Sequence, residues 1–127
     1  MRRVAAAAAA AMAAASLGAP AAAESPLDVR ATPVGVAERE FRISAYRTAV
    51  RPGTVKLNVR NFGEDVHDLV VISPRGRTLG TTGEIRSGDQ AVLKVRLKRA
   101  GSYRLVCAQA GHAKRGMKTT LAVRERR

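Results

Sequence analysis

Most of the chain alternates apolar and polar residues over short stretches, and this pattern limits the possible folds more than any other feature. A period of two places apolar side chains on one face of a strand, which is typical of strands with one buried face. The clearest stretches are 55–60 and 93–98. Further strands are predicted at 27–31, 41–44, 103–106 and 119–123, and the apolar run at 69–72 predicts a strand buried on both faces.

Turn motifs separate these stretches from one another. Examples are Arg51-Pro52-Gly53 and Ser87-Gly88-Asp89, which combine residues that favour tight turns. No stretch after residue 23 shows a sustained helical period, and 127 residues are enough for one domain. The sequence therefore predicts an all-β fold, a two-sheet antiparallel β-sandwich of about seven or eight strands, in a single domain at 24–127.

The first 23 residues have the composition of a signal peptide. Arg2 and Arg3 form a positive start, an uncharged alanine-rich run follows at 4–17, and Ala21-Ala22-Ala23 supplies small residues for cleavage. The uncharged run has about 14 residues, fewer than the roughly 20 that a transmembrane helix needs. We therefore predict a signal peptide at 1–23, no transmembrane segment, and a domain that works in the periplasm or outside the cell. Both general and twin-arginine export remain open.

After residue 23, the chain contains very few side chains with soft or borderline metal-binding atoms. They are His67, Cys107, His112 and Met117, and the last three form a C-x4-H-x4-M run. A single cysteine excludes an internal disulfide framework and cysteine-rich zinc modules. Taken singly, each of these residues also has an ordinary structural explanation, such as a buried thiol or a core methionine.

Strand parity places three of these four residues at one end of the predicted core. Cys107 continues the face of Leu105, Met117 that of Leu121, and His67 that of Leu69. The loop between Cys107 and Met117 then delivers His112, and Gly111 and Gly116 allow that loop to fold tightly. We therefore predict that the four side chains converge at one end of the sandwich.

One thiolate, two imidazoles and a thioether form a specific donor set. Trigonal His₂Cys ligation with a weak axial methionine is characteristic of blue-copper electron-transfer sites. Zinc accepts His₂Cys ligation, but methionine is a poor zinc ligand. The set has no obvious open position for a substrate, so we expect no enzymatic activity at the metal.

The stretch from about Val55 to Val123 resembles the cupredoxin family, the plastocyanin- and azurin-like blue copper proteins. The resemblance is carried by NFGEDVHDL at 61–69, AGSY at 100–103 and CAQAGHAKRGM at 107–117. It implies a Greek-key sandwich with one type 1 copper near one end, a carrier of single electrons. It also implies His67, Cys107 and His112 as in-plane ligands, Met117 as the axial ligand, the Val66 carbonyl near the copper and the His112 edge as the electron port.

Two positions depart from the pattern of many members. Asp68 replaces an asparagine whose amide bonds to the cysteine loop, and Ala110 replaces a proline before Gly111-His112. A carboxylate at position 68 accepts hydrogen bonds but donates none, and its charge favours Cu(II) and lowers the reduction potential. Three basic residues near His112 and Met117 have the opposite effect, because positive charge favours Cu(I) and raises the reduction potential. They are Lys114, Arg115 and Lys118.

The formal net charge of +13 indicates an anionic partner or a solvated basic surface. Aromatic residues for base stacking are scarce, which excludes nucleic acid as the expected partner. We expect redox proteins with acidic docking patches and a monomeric chain. Copper trafficking or sequestration is the second hypothesis, and a metal-free sandwich that binds anionic surfaces is the third.

Overall fold

A computed structural model of the chain describes residues 5, 9–15, 18 and 30–125. The predicted signal peptide at 1–23 lies largely outside these residues, and its cleavage stays a prediction. Residues 27–29 of the first predicted strand also lie outside them. Within the described ranges, no helix has the length and apolar character needed to cross a membrane.

The described part of the chain forms nine strands. They are β1 (Thr32–Arg39), β2 (Arg42–Ala45), β3 (Ala49–Val50), β4 (Gly53–Asn61), β5 (Val70–Ile72), β6 (Thr78–Thr81), β7 (Gln90–Leu97), β8 (Gly101–Val106) and β9 (Lys118–Val123). A single 3₁₀ turn at Ala113–Arg115 lies in the loop between β8 and β9. The predicted stretches at 41–44, 55–60, 69–72, 93–98, 103–106 and 119–123 correspond to β2, β4, β5, β7, β8 and β9.

The strands form two sheets, with the orders β2-β1-β4-β7 and β3-β9-β8-β5-β6. The predicted all-β sandwich is confirmed. Both sheets are mixed, however, because β1 pairs with β4 and β3 with β9 in parallel. The expectation of purely antiparallel pairing is thus corrected at these two pairs. The chain turns from β1 into β2, crosses to the other sheet as β3, and returns beside β1 running in the same direction.

The hydrophobic core lies between the two sheets, and both contribute to it. Lys94 and Arg96 of β7 are exposed while Val95 and Leu97 are buried, as the alternating pattern predicts. Burying one such aliphatic side chain is worth about 1.5–3 kcal/mol. The core includes Val34, Val36, Val55, Leu57, Val59, Leu69, Val71, Val95, Leu97, Tyr103, Leu105, Leu121 and Val123.

Strands β1, β3 and β6 have no clear pattern in the sequence. β1 contains Pro33 and Gly35, which are poor strand formers, and β6 is a short edge strand around Gly80. β3 has only two residues. Pairing with β4, β9 and β5 determines the position of these strands, and that pairing depends on residues far away in the chain.

The central strands of the second sheet bring three chain segments to one edge. Val106, the last residue of β8, pairs with the first residues of both β5 and β9. Cys107 directly follows β8, Met117 directly precedes β9, and His67 lies three residues before β5. The register of β8 with its two neighbours therefore places these three residues at the same end of the core.

One carboxyl group is enclosed within the sandwich. Glu38 in β1 is 0% exposed, and neither of its side-chain oxygens has a hydrogen-bond partner in the described part of the chain. Burial, and secondarily the negative charge of Asp68, raises the pKa of Glu38 to about 8. Glu38 is therefore mainly protonated at neutral pH, because an isolated charge is costly in a core.

This buried acid predicts a pH dependence of stability. The folded chain retains the Glu38 proton between about pH 4.5 and pH 8, where the unfolded chain has lost it, so stability decreases as the pH rises through this range. From pH 4.5 to pH 7, Glu38 should lower the free energy of unfolding by about 3 kcal/mol. Glu38→Gln should remove this slope in urea unfolding of the metal-free protein. Glu84→Gln, at an exposed position, is the control; an unchanged slope in Glu38→Gln contradicts the prediction.

Candidate metal centre

Three potential ligand atoms from two segments of the chain converge at one end of the sandwich. Nδ1 of His67 lies 3.2 Å from Nδ1 of His112. Sγ of Cys107 lies 4.0 Å from the His67 nitrogen and 3.6 Å from the His112 nitrogen. The three residues that the sequence predicts as in-plane ligands therefore lie together, with their ligand atoms within 4.8 Å of one another.

The spacing of these atoms suits one metal ion. A circle through a triangle with sides of 3.2, 3.6 and 4.0 Å has a radius of about 2.1 Å, close to the roughly 2.0–2.3 Å of zinc bonds to imidazole nitrogen and thiolate sulfur. Two Nδ1 atoms and a sulfur thus form a trigonal donor set. Together with the nearby Met117, this set fits a single type 1 copper site.

Backbone hydrogen bonds close the loop that carries three of the four residues. The backbone N–H of Cys107 donates to the carbonyl of Met117, and that of Met117 donates to the carbonyl of His112, both at 3.1 Å. Gly111 and Gly116 have φ values of 79° and 108°, so the predicted need for glycine at both positions is confirmed. The Met117 side chain is fully buried beside this loop.

The segment before His67 is held by the buried side chain of Asn61. Its Nδ2 donates to the carbonyls of Asp65 at 2.7 Å and Ile85 at 2.9 Å, and its Oδ1 accepts from the N–H of Gly63 at 2.8 Å. His67 and Ile85 then exchange two backbone hydrogen bonds. The final residue of β4 therefore fixes the approach of the chain to His67.

The Cys107 sulfur is buried and accepts hydrogen bonds from the backbone. Burial raises the pKa of the Cys107 thiol, and the nearby negative charge of Asp68 acts in the same direction. Backbone hydrogen bonds from Asp68 and Gln109 partly oppose these effects. Because metal ligation requires the thiolate, binding at this site must displace the thiol proton.

Asp68 joins the two ligand-bearing segments. Its Oδ1 accepts from the backbone N–H of Ala108 at 2.6 Å, and its Oδ2 accepts from Nε2 of Gln109 at 3.0 Å. The bridge to the cysteine loop that many cupredoxins make through asparagine is thus made here by a carboxylate that only accepts. It places a negative charge close to the Cys107 sulfur.

His67 has a carboxylate partner on the side of the ring away from the other ligand atoms. Its Nε2 lies 3.0 Å from Oε1 of Glu40, in the turn between β1 and β2. Backbone hydrogen bonds, that of Asp65 foremost, lower the pKa of Glu40, so this carboxyl is ionised at neutral pH. No sequence motif indicates Glu40, because it lies 27 positions before His67 in an irregular turn.

His112 lies at the surface edge of the site, with its side chain 14% exposed. The ring of Phe41 packs edge-on against the imidazole, with the ring centres 5.1 Å apart. The guanidinium carbon of Arg115 in turn lies 4.7 Å from the centre of the Phe41 ring. Of the three basic residues predicted to flank the site, Arg115 therefore reaches His112 through Phe41. Oδ2 of Asp65 lies 3.8 Å from Nε2 of His112.

Solved structures share this architecture. The auracyanin of Roseiflexus castenholzii superimposes with a TM-score of 0.67 at 15% identity, over 75% of this chain and 98% of that one. The chain has the cupredoxin fold. Auracyanin A of Chloroflexus aurantiacus, described as a blue copper protein, gives a TM-score of 0.56 at 13% identity, over 72% and 99% of the two chains.

The cupredoxin fold also occurs as part of larger proteins. A copper-containing nitrite reductase from Thermus scotoductus matches 73% of this chain with a TM-score of 0.55 at 16% identity, but the match covers 31% of the reductase. No protein-family model and no curated protein matches the sequence at a significant level. The similarity to known proteins is therefore one of fold, and the chemistry has to be argued from the site itself.

Proposed function

We propose that the chain is an exported type 1 copper protein that carries single electrons between redox partners. The convergence of two imidazole Nδ1 atoms and one cysteine sulfur, with 3.2–4.0 Å between them, is the observation that supports this most directly. The fold adds support, since auracyanin A, which shares it, is described as a blue copper protein.

Each of the four residues has a distinct role in this proposal. His67, Cys107 and His112 would hold the copper as the strong donors, and the Met117 thioether would be the weaker fourth donor. Bound copper supplies a one-electron couple between Cu(I) and Cu(II), which these side chains do not provide themselves. The hydrogen bonds within the loop and to Asn61 hold the ligands in place, so the site needs little rearrangement between oxidation states.

The enclosure of the site favours electron transfer over catalysis. Within the described part of the chain, the side chains of His67, Cys107 and Met117 are fully buried, so these donors are not exposed to a substrate. The partly exposed edge of His112 is the shortest path for an electron to a partner. We therefore propose that His112 is the electron port and that the protein is not an enzyme.

The partner is proposed to be a redox protein with an acidic docking patch. Arg115 packs on Phe41 beside His112, and Lys114 and Lys118 are exposed at neighbouring positions in the chain. Such charges attract an acidic surface and increase the association rate. Action outside the cytoplasm follows from the predicted signal peptide at 1–23.

Reconstitution with copper tests the ligand set. The mature domain with Cu(II) should give an intense thiolate-to-copper charge-transfer band in the visible spectrum and a type 1 EPR signal. Cys107→Ser should abolish the band completely while the domain stays folded, because the sulfur is the electron donor of that transition. A folded wild-type domain without the band contradicts the proposal. Transfer of the copper to a competing acceptor upon reduction supports the copper-trafficking hypothesis instead.

The axial role of Met117 predicts a change in potential. Met117→Gln should retain copper and lower the reduction potential by at least about 60 mV, which corresponds to a tenfold change in the ratio of Cu(II) to Cu(I) affinity. The harder amide oxygen stabilises Cu(II) more than the thioether does. Met117→Leu, which keeps the volume but has no donor, should raise the potential. Equal potentials in all three proteins, measured by redox titration, contradict axial ligation.

The docking proposal predicts a salt-dependent rate that depends on one surface. Arg115→Glu should slow electron transfer to an acidic redox protein about threefold to tenfold at low ionic strength, and the difference should shrink as salt is added. Arg96→Glu is the matched control, since Arg96 is exposed and pairs with Thr54 at the opposite end of β4 from Asn61. Stopped-flow rates that fall equally in both variants contradict docking at His112.

A further inference from the structure

One carboxylate oxygen of Glu40 accepts hydrogen bonds from three N–H groups of the segment 64–67, which carries the first histidine. This oxygen, Oε1, lies 2.8 Å from the backbone nitrogen of Glu64, 2.7 Å from that of Asp65 and 3.0 Å from Nε2 of His67. The turn between β1 and β2 is thereby attached to the segment that delivers the first histidine. These contacts join residues 24–27 positions apart in the chain.

The two nitrogens of the His67 ring face two different environments. Nδ1 faces the Cys107 sulfur and His112, whereas Nε2 faces the Glu40 carboxylate. A neutral imidazole has one N–H and one lone pair, and a carboxylate can only accept. The Nε2 atom must therefore donate to Glu40, which leaves the Nδ1 lone pair directed toward the other ligand atoms.

Gly63 is shaped to admit this carboxylate. A Cβ atom at position 63 would lie 2.6 Å from Oε2 and 2.8 Å from Cδ of Glu40, closer than non-bonded atoms approach. These are the flexible end of the side chain, so an alanine at position 63 would displace the carboxylate rather than the backbone. The glycine of the Asn61-Phe62-Gly63 turn is thus explained by space for Glu40.

We propose that Glu40 is a positioning residue that fixes the tautomer and orientation of His67 and tunes the metal centre through it. The inference rests on the proposed copper function for its effect on potential, but its effect on His67 is a property of the metal-free chain. A carboxylate behind an imidazole ligand strengthens that ligand and stabilises the more highly charged metal ion. Glu40 should therefore favour Cu(II) over Cu(I).

Three variants separate the parts of this role. Glu40→Ala removes the acceptor and the charge, Glu40→Gln keeps an acceptor oxygen without the charge, and Gly63→Ala displaces an unaltered carboxylate. Glu64→Gln is the matched control, because it removes a charge from the same loop while the backbone N–H that bonds Glu40 remains. Glu64 is exposed.

The first measurement is ¹⁵N NMR of the imidazoles in the metal-free protein. We expect the Nε2–H tautomer of His67 in the wild type, in Glu40→Gln and in Glu64→Gln, and a mixture of tautomers in Glu40→Ala and Gly63→Ala. A variant that combines Glu40→Ala with Gly63→Ala should show the same tautomer mixture as either single variant, because both substitutions remove the same contact. An unchanged tautomer in both Glu40→Ala and Gly63→Ala overturns the proposal. If Glu40→Ala fails to fold, Gly63→Ala alone decides in the same way.

The second measurement is copper affinity and reduction potential. Glu40→Ala should weaken Cu(II) binding about 10- to 100-fold and Cu(I) binding less, which raises the potential by about 59 mV for each tenfold difference. Glu40→Gln should raise the potential while retaining the tautomer, and Glu64→Gln should change it much less. Equal shifts in Glu40→Gln and Glu64→Gln overturn the tuning role. If the variants change the His67 tautomer but the wild type binds no copper, the proposed function is refuted and the positioning of His67 by Glu40 is established.

Discussion

The register of β8 between β5 and β9 is the constraint on which the rest of the site depends. Its last residue, Val106, faces the first residues of both neighbouring strands, so the three segments end at one edge. Cys107 and Met117 extend β8 and β9 from this edge, and the segment before β5 carries His67. A shift of one residue in either pairing would turn the donor side chains away from the core, because side chains alternate between the two faces of a strand.

The immediate surroundings of the site are acidic although the whole chain is strongly basic. Three carboxyl groups lie near the Cys107 and His67 donors: Glu38 and Asp68 near the sulfur, and Glu40 beside His67. Glu38 is mainly protonated at neutral pH and adds little charge. Each differs in its environment, since Glu38 is buried without a partner, Asp68 bridges two segments and Glu40 binds three N–H groups. Interactions at this range act through a medium of low dielectric constant and outweigh distant surface charge. In the proposed copper site, the charges of Asp68 and Glu40 would favour Cu(II), and that of Arg115 above Phe41 would oppose them.

The sequence pattern predicts the strands that alternate cleanly and not those that depend on pairing. β4 and β7 can be predicted because their alternating apolar residues all pack into one core. These residues are Val55, Leu57, Val95 and Leu97. β1 contains a proline and a glycine, and only the seven-residue register with β4 establishes it as a strand. The parallel pairing of β1 with β4 could not be predicted, because it depends on the path of the chain between the two sheets. Local propensity contains no information about such a path.

The sequence by itself determined which atoms can hold a metal and which strand faces lead to them. His67, Cys107, His112 and Met117 are identified by residue type, and all but His112 also by strand parity; both are local properties. Only the tertiary structure decided how the donors are oriented, through the contact of Glu40 with His67 and that of Asp68 with the cysteine loop. These contacts join residues 27 and 40 positions apart in irregular loops. Loops have no periodicity from which such an approach can be predicted, so their geometry appears only when the packed sheets fix both ends.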